Sequence, residues 1–155
     1  MKVQEIMTRP AVTCREHDTL DRPAQKMWDH DCGAIPVTSE DGRIVGVVTD
    51  RDICMAAYTK GLPLRAIRVQ DAMARKVFAC RPEDTVEQAE KLMSEKQIRR
   101  LPVVDEHDRP VGIVSVTDIA RQAAVSRKQD GREQVTETIA AIGRPRGPQR
   151  EAEAP

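Results

Sequence analysis

The sequence is written twice. Val3-Gln4-Glu5-Ile6-Met7 returns as Val69-Gln70-Asp71-Ala72-Met73, a displacement of 66 residues that then holds without a gap. Cys14-Arg15 maps onto Cys80-Arg81, Asp18-Thr19 onto Asp84-Thr85, and Met27 onto Met93. Ile35-Pro36-Val37 maps onto Leu101-Pro102-Val103, and Val45-Gly46-Val47-Val48-Thr49 onto Val111-Gly112-Ile113-Val114-Ser115. A chain in such register folds as two copies of one supersecondary unit, each too small to bury its apolar face without its twin. The copies are placed at 1–61 and 69–126, with a linker at 62–68 and a C-terminal region at 127–155.

Each copy has the same order of local signals. An apolar stretch (Ala11 to Cys14; Val77 to Cys80) reads as a strand, and Asp18-Thr19 or Asp84-Thr85 offers side-chain oxygens to cap a helix. That helix puts Val86, Ala89, Leu92 and Met93 on one face. A second strand follows at Ala34 to Thr38 and Leu101 to Val104. It turns at Asp41-Gly42 or His107-Asp108-Arg109-Pro110 into a third, at Arg43 to Thr49 in the first copy. A second helix begins near Asp50 or Thr117, and in the first copy ends at Lys60-Gly61. The order β-α-β-β-α, twice, predicts an α/β protein. It has two small three-stranded sheets packed against helices and related by a pseudo-twofold axis. Val135, Ile139 and Ile142, at i, i+4 and i+7, predict one more amphipathic helix over Arg132 to Ile142. From Gly143 to Pro155 the chain is rich in Gly, Pro, Arg and Glu and reads as a disordered tail. Its Arg144, Arg146 and Arg150 are solvated or touch an acidic partner.

Composition excludes several function classes. The 25 basic side chains balance 25 acidic ones at a pI near 6.8, without the basic excess of a nucleic-acid binder. Trp28, Tyr58 and Phe78 are the whole aromatic complement, too few to stack a row of bases. No apolar run approaches the roughly 20 residues a bilayer span needs. The start of the chain, with Glu5 among its apolar residues, is not a signal peptide, so a cytoplasmic protein is expected. Cys14, Cys32, Cys54 and Cys80 form no Cys-x-x-Cys pair and no zinc-like grouping with His17, His30 or His107. No Ser/His/Asp grouping or phosphate loop recurs, and no enzyme is expected.

What does recur is Gly46-x-x-Thr49-x-x-Asp52 and Gly112-x-x-Ser115-x-x-Asp118, each where a strand runs into a helix. Two readings fit. The hydroxyl and carboxylate can be ordinary helix caps. Alternatively, the helix start and hydroxyl favour a phosphate, glycine admits close backbone approach, and the carboxylate accepts from two ribose hydroxyls.

The ordered set Ile-Met-Thr/Ala, Asp-Thr, Met, Pro-Val and Val-Gly-x-Val-Thr/Ser-x-x-Asp, present twice, resembles a tandem cystathionine-β-synthase (CBS) domain pair, or Bateman module. With only a tail attached, the chain is similar to stand-alone bacterial pairs of the hypoxic-response type. The resemblance implies a regulatory module binding adenosine-containing ligands in two clefts between the repeats. AMP, ADP or ATP lead as candidates, with NAD and S-adenosylmethionine behind them. Carried over by position, one cleft has Asp118, Thr117 and Ser115 on the sugar-phosphate side, with Thr8, Thr13, Cys32 and Gly33 around the base. The other pairs Asp52 and Thr49 with Ala74, Ala79 and Ile98. Arg99, Arg100 and Arg51 are phosphate candidates, since an arginine fork bonds phosphate bidentately; surface pairing of Arg99 and Arg100 with Asp105 and Glu106 is the competing reading. The resemblance also implies a homodimer through the outer helices and an effector protein that distinguishes two arrangements of the repeats. A rival function is a stress-response interaction module whose clefts bind no nucleotide.

Overall fold

The computed structural model describes residues 1–126 and 129–146. In the first copy a 3-10 turn (Val3–Glu5) leads to β1 (Cys14–Arg15), α1 (Asp21–His30), β2 (Ala34–Thr38), β3 (Ile44–Thr49) and α2 (Asp50–Lys60). Two more such turns (Leu64–Ala66 and Val69–Asp71) precede α3 (Val86–Lys96), β4 (Arg100–Val104), β5 (Pro110–Ser115) and α4 (Val116–Val125). The last element is α5 (Gln129–Ile142). β2–β3 and β4–β5 are antiparallel pairs, and β1 runs parallel to β2. The α/β class is as the repeat predicts.

The second sheet has two strands rather than three. Cys80 makes a single bridge to Val103 where Cys14 begins β1. In the first copy the Glu16 N–H donates to the Thr38 carbonyl at 3.1 Å and carries the strand through Arg15. The residue in that place in the second copy is Pro82, which has no N–H to give. The Val104 carbonyl left over accepts from the Arg81 guanidinium at 3.5 Å instead. β1 is also shorter than expected: Ala11 and Val12 line a cleft rather than pair.

Capping is likewise unequal. Thr85 caps α3, accepting from the Gln88 N–H at 3.2 Å while Gln88 accepts from the Thr85 N–H at 2.8 Å. Thr19 does not cap α1, which starts behind Leu20 with no side-chain cap. The N–H in the Gln88 position belongs to Arg22 and is bonded to the Thr19 carbonyl at 3.0 Å, so the Thr19 hydroxyl donates to Asp21. Asp18 and Asp84 accept from the N–H groups of Arg15 and Arg81, closing turns rather than helices.

The two copies do not share one core; each is completed by a segment of its twin. Val3 is buried with Val86, Met93, Leu101 and Val114 of the second copy, and Ile67 and Val69 with Leu20, Ile35 and Val48 of the first. The backbone bridges obey the 66-residue displacement: Lys2 with Thr85 and Arg68 with Thr19, Thr8 with Ile113 and Ala74 with Val47. Each of the last two is a reciprocal pair of hydrogen bonds, at 2.8 and 3.0 Å and at 3.0 and 2.9 Å. These bridges are the pseudo-twofold relation expressed in hydrogen bonds, and they bring each strand-to-helix junction against the other repeat.

Gly46 and Gly112 sit at these crossings. A Cβ on Gly112 would stand 2.8 Å from Met7 Sδ and 2.9 Å from the Thr8 carbonyl oxygen. On Gly46 it would stand 2.6 Å from Met73 Sδ and 2.9 Å from the Ala74 carbonyl oxygen. The repeated glycine therefore admits the twin's backbone, which the ligand-based reading of the motif did not anticipate.

α5 lies across α3 and α4 and begins at Gln129, ahead of the expected Arg132. Its buried stripe is Val135, Thr138 and Ile142; Ile139, expected in that stripe, is 49% exposed. Facing it on α3 is Glu90, 4% exposed, whose carboxylate accepts from the Thr138 hydroxyl at 3.5 Å. Beyond α5, the Arg146 guanidinium donates to the Gln97 carbonyl. The remainder of the expected disordered tail, 147–155 with Arg150, lies outside the described residues.

Candidate functional site

Both strand-to-helix junctions are capping boxes. Asp118 Oδ2 accepts from the Ser115 N–H at 2.9 Å and from its hydroxyl at 2.6 Å, while Ser115 Oγ accepts from the Asp118 N–H at 3.2 Å. Asp52 Oδ2 accepts from the Thr49 N–H at 2.9 Å, and Thr49 Oγ1 from the Asp52 N–H at 3.1 Å. The capping reading is thus right for one carboxylate oxygen and for both hydroxyls. The second oxygen takes no part in the cap. Asp118 Oδ1 meets Arg121 Nη1 at 3.4 Å, a contact from a side chain 72% exposed to one only 12% exposed. Capping holds the carboxylate in place and leaves Oδ1 to the space beside it.

That space is a cleft of about 340 Å³ between the repeats. The structure brings to it Ser115, Thr117 and Asp118 from the second repeat and Thr8, Cys32 and Gly33 from the first, together with Arg100. Thr13 does not line it; its carbonyl accepts from Lys26 Nζ of α1 at 2.6 Å. The Ser115 hydroxyl donates to Asp118, so the hydroxyls left to the cleft are those of Thr117 and Thr8. Sequence reasoning missed His30, Asp31 and Arg121, which also line the cleft. Arg121 was findable, lying one helical turn beyond Asp118. Gly33 matters here too: a Cβ there would lie 3.0 Å from Asp50 Oδ2 and 3.5 Å from Arg100 Nη2.

The second junction is furnished differently. Ala74 pairs with Val47, two residues before Thr49, and Arg51 and Asp52 lie in the first turn of α2. Ile98 packs onto the core of the second repeat, and Ala79, next to buried Cys80, is partly buried. Where the first cleft has Pro10, Val12 and His30, the 66-residue displacement puts Lys76, Phe78 and Lys96. Two ammonium groups lie over the Phe78 ring, Lys76 Nζ at 5.5 Å and Lys96 Nζ at 5.3 Å from its centroid.

Arg99 and Arg100 pair with no carboxylate among the described residues. The competing partner Asp105 accepts from the N–H groups of His107 and Arg109, and chiefly the Arg109 bond holds its pKa below the usual value. Burial pushes the thiols of Cys14 and Cys80 up to about 12, with Asp18 and Asp84 adding to it, so both are packing residues. Burial also raises the Cys32 thiol, while Cys54 is exposed; all four cysteines are free. Among the described residues no three His, Cys, Asp or Glu side chains converge to hold a metal ion, and no helix is long and apolar enough to cross a membrane.

Comparison with known proteins matches this architecture. The family model described as the CBS domain matches at residues 3–58 and again at 69–124. Hypoxic response protein 1 of Mycobacterium tuberculosis is 36% identical over 118 residues, 76% of this chain and 82% of that protein. A solved structure of Hypoxic Response Protein I, with two coordinated zinc ions, superposes with a TM-score of 0.70 at 35% identity, over 78% of this chain and 98% of that one. The CBS domain pair of protein MJ0100, solved with 5′-methylthioadenosine and S-adenosyl-L-methionine, superposes with a TM-score of 0.72 at 27% identity, over 80% and 96%. With two matched domains joined by reciprocal bridges, the chain belongs to the CBS-domain family, as a tandem pair.

Proposed function

We propose that the chain is a non-catalytic regulatory module that binds an adenosine-containing ligand in the cleft between Asp118 and the Thr8 to Val12 segment. AMP, ADP and ATP are the leading ligands. The observation that carries this reading is the divided carboxylate of Asp118: one oxygen is fixed by a cap, and the other lies in an inter-repeat cleft that also holds Arg100 and Thr117. A ribose diol bonds such an oxygen, the phosphate meets the guanidinium, and the base lies against the strand edge of the first repeat. The MJ0100 pair, with its two adenosyl compounds, supports the ligand class. A ligand touching both repeats stabilises one relative arrangement by about 2.7 kcal/mol at a hundredfold excess over Kd. An effector protein reads that bias if it binds the two arrangements unequally.

The test is calorimetry with AMP, ADP, ATP, NAD and S-adenosylmethionine on the full chain and on Asp118→Asn. The amide keeps an oxygen for the cap but loses the charge that favours the ribose hydroxyls. Binding by the parent chain and a loss of about tenfold or more in the variant supports the reading. Absence of binding for all five at millimolar concentration overturns it in favour of the interaction module.

A second copy of the chain is proposed to cover the outer face of α1 and α2. Trp28 and Tyr58 stand there 85% and 80% exposed, with Met55 beside them. On the second repeat the equivalent face of α3 and α4 is already covered by α5. A dimer built on the first repeat alone hides the bare aromatic pair; sedimentation equilibrium of Trp28→Glu against the parent chain tests it, with a monomeric parent as the contrary result.

A further inference from the structure

A second cavity, about 410 Å³, adjoins the cleft and shares Arg100, Ser115 and Thr117 with it. Arg99 lines it, as does the C-terminal end of α5 at Ile139, Ile142 and Gly143. We propose that this cavity is a polyphosphate subsite: it takes the β- and γ-phosphates of a nucleotide whose adenosine lies in the first cleft, so that di- and triphosphates, unlike AMP, touch α5. The proposal rests on the adenosyl reading above and adds to it which ligands the site prefers and which element reports them.

The chemistry of the lining carries the argument. Arg99 and Arg100 both border the cavity, neither is paired with a carboxylate among the described residues, and no acidic side chain lines it. Two arginines in an otherwise uncharged lining suit an anion with several oxygens. α4 starts at Val116 in the same lining, so its positive end adds to the field. The end of α5 would ordinarily repel an anion through its last four carbonyls, but two of these have partners. Ile139 O accepts from the Gly143 N–H at 2.9 Å, and Ala141 O from Gln97 Nε2 at 3.3 Å. A phosphate chain running from the cleft passes Arg100, which borders both spaces, before reaching Arg99, which borders the second.

Ile139 gives the decisive variants, because it is half-exposed and can carry a charge without opening the core. On the full chain, calorimetry compares AMP, ATP and tripolyphosphate for the parent, Ile139→Glu, Ile139→Lys and Arg99→Ala. Circular dichroism melts confirm that each variant folds. The parent is expected to bind ATP about tenfold tighter than AMP. Ile139→Glu and Arg99→Ala should each weaken ATP about tenfold with AMP within about twofold, and Ile139→Lys should tighten ATP. Tripolyphosphate alone should bind more weakly than ATP; equal or tighter binding would make this a free-polyphosphate site and overturn the proposal. AMP and ATP binding alike, with both insensitive to Ile139→Glu, also overturns it while leaving the adenosyl site standing. Failure of both nucleotides to bind overturns the adenosyl reading as well.

Discussion

Replacing Gly112 by alanine tests how the two repeats are joined. The new Cβ would lie 2.9 Å from the Thr8 carbonyl oxygen and 2.8 Å from Met7 Sδ, where ordinary contact begins at 3.4 Å. The Met7 side chain can swing aside; the Thr8 carbonyl cannot move without stretching its 3.0 Å bond from the Ile113 N–H. Forced overpacking costs about 1–3 kcal/mol and a weakened buried backbone bond about 1 kcal/mol, so a loss of about 2–4 kcal/mol follows. For a chain of this length that lowers Tm by about 5–15 °C. Urea denaturation and thermal melts read it directly. Because Thr8 also lines the cleft, ligand affinity should fall in the same variant. The matched control is Gly131→Ala, within α5, where a Cβ meets nothing within 4 Å. It should stabilise by up to about 1 kcal/mol through helix propensity. If Gly112→Ala melts with the parent chain, or the control suffers as much, close inter-repeat approach is not why the glycine is repeated.

Glu90 makes the docking of α5 pH-dependent. Burial raises its pKa above the ordinary 4.5, with Glu87 adding to the shift and the Thr138 bond opposing it; Lys91, Glu137 and Arg144 line the same groove. A carboxyl whose folded pKa is raised contributes stability below the ordinary value and loses it as pH rises through the folded pKa. Stability should therefore fall as pH rises from about 4.5, and Glu90→Gln should remove that slope in parallel denaturation series. Pro82→Glu restores the missing N–H and should add about 1 kcal/mol, seen as a higher urea midpoint, by pairing Arg81 with Val104. Iodoacetamide followed by mass spectrometry should label Cys54 first and Cys32 more slowly, with Cys14 and Cys80 untouched in the folded chain. Rapid labelling of Cys14 would contradict its burial.

The 66-residue displacement made the architecture legible, because each secondary-structure signal appears twice in the same frame. Which residues meet in the first cleft came instead from the resemblance to the CBS pair: six of the seven it implies line that cleft, and the carbonyl of the seventh, Thr13, is bonded by Lys26. The exchange of Val3 and Val69 between cores was not legible, since a symmetric pattern is the same whichever copy receives the segment. Pro82 was visible as a proline in an otherwise matched frame, and its missing donor is enough to shorten the strand. The stripe of α5 was misread because Thr138, an uncharged polar residue, is buried against Glu90, leaving apolar Ile139 at the cavity edge. Phe78 and its two lysines were legible by displacement from Pro10, Val12 and His30, once those were known to face the first cleft.

A crystal structure of the full chain with saturating ATP or AMP tests the central claim most directly. The ribose hydroxyls should bond Asp118 Oδ1, displacing Arg121 Nη1 from its 3.4 Å contact, with the base against Thr8 to Val12 and the α-phosphate at Arg100. A nucleotide bound to one repeat alone, or to a surface away from Asp118, would contradict the account.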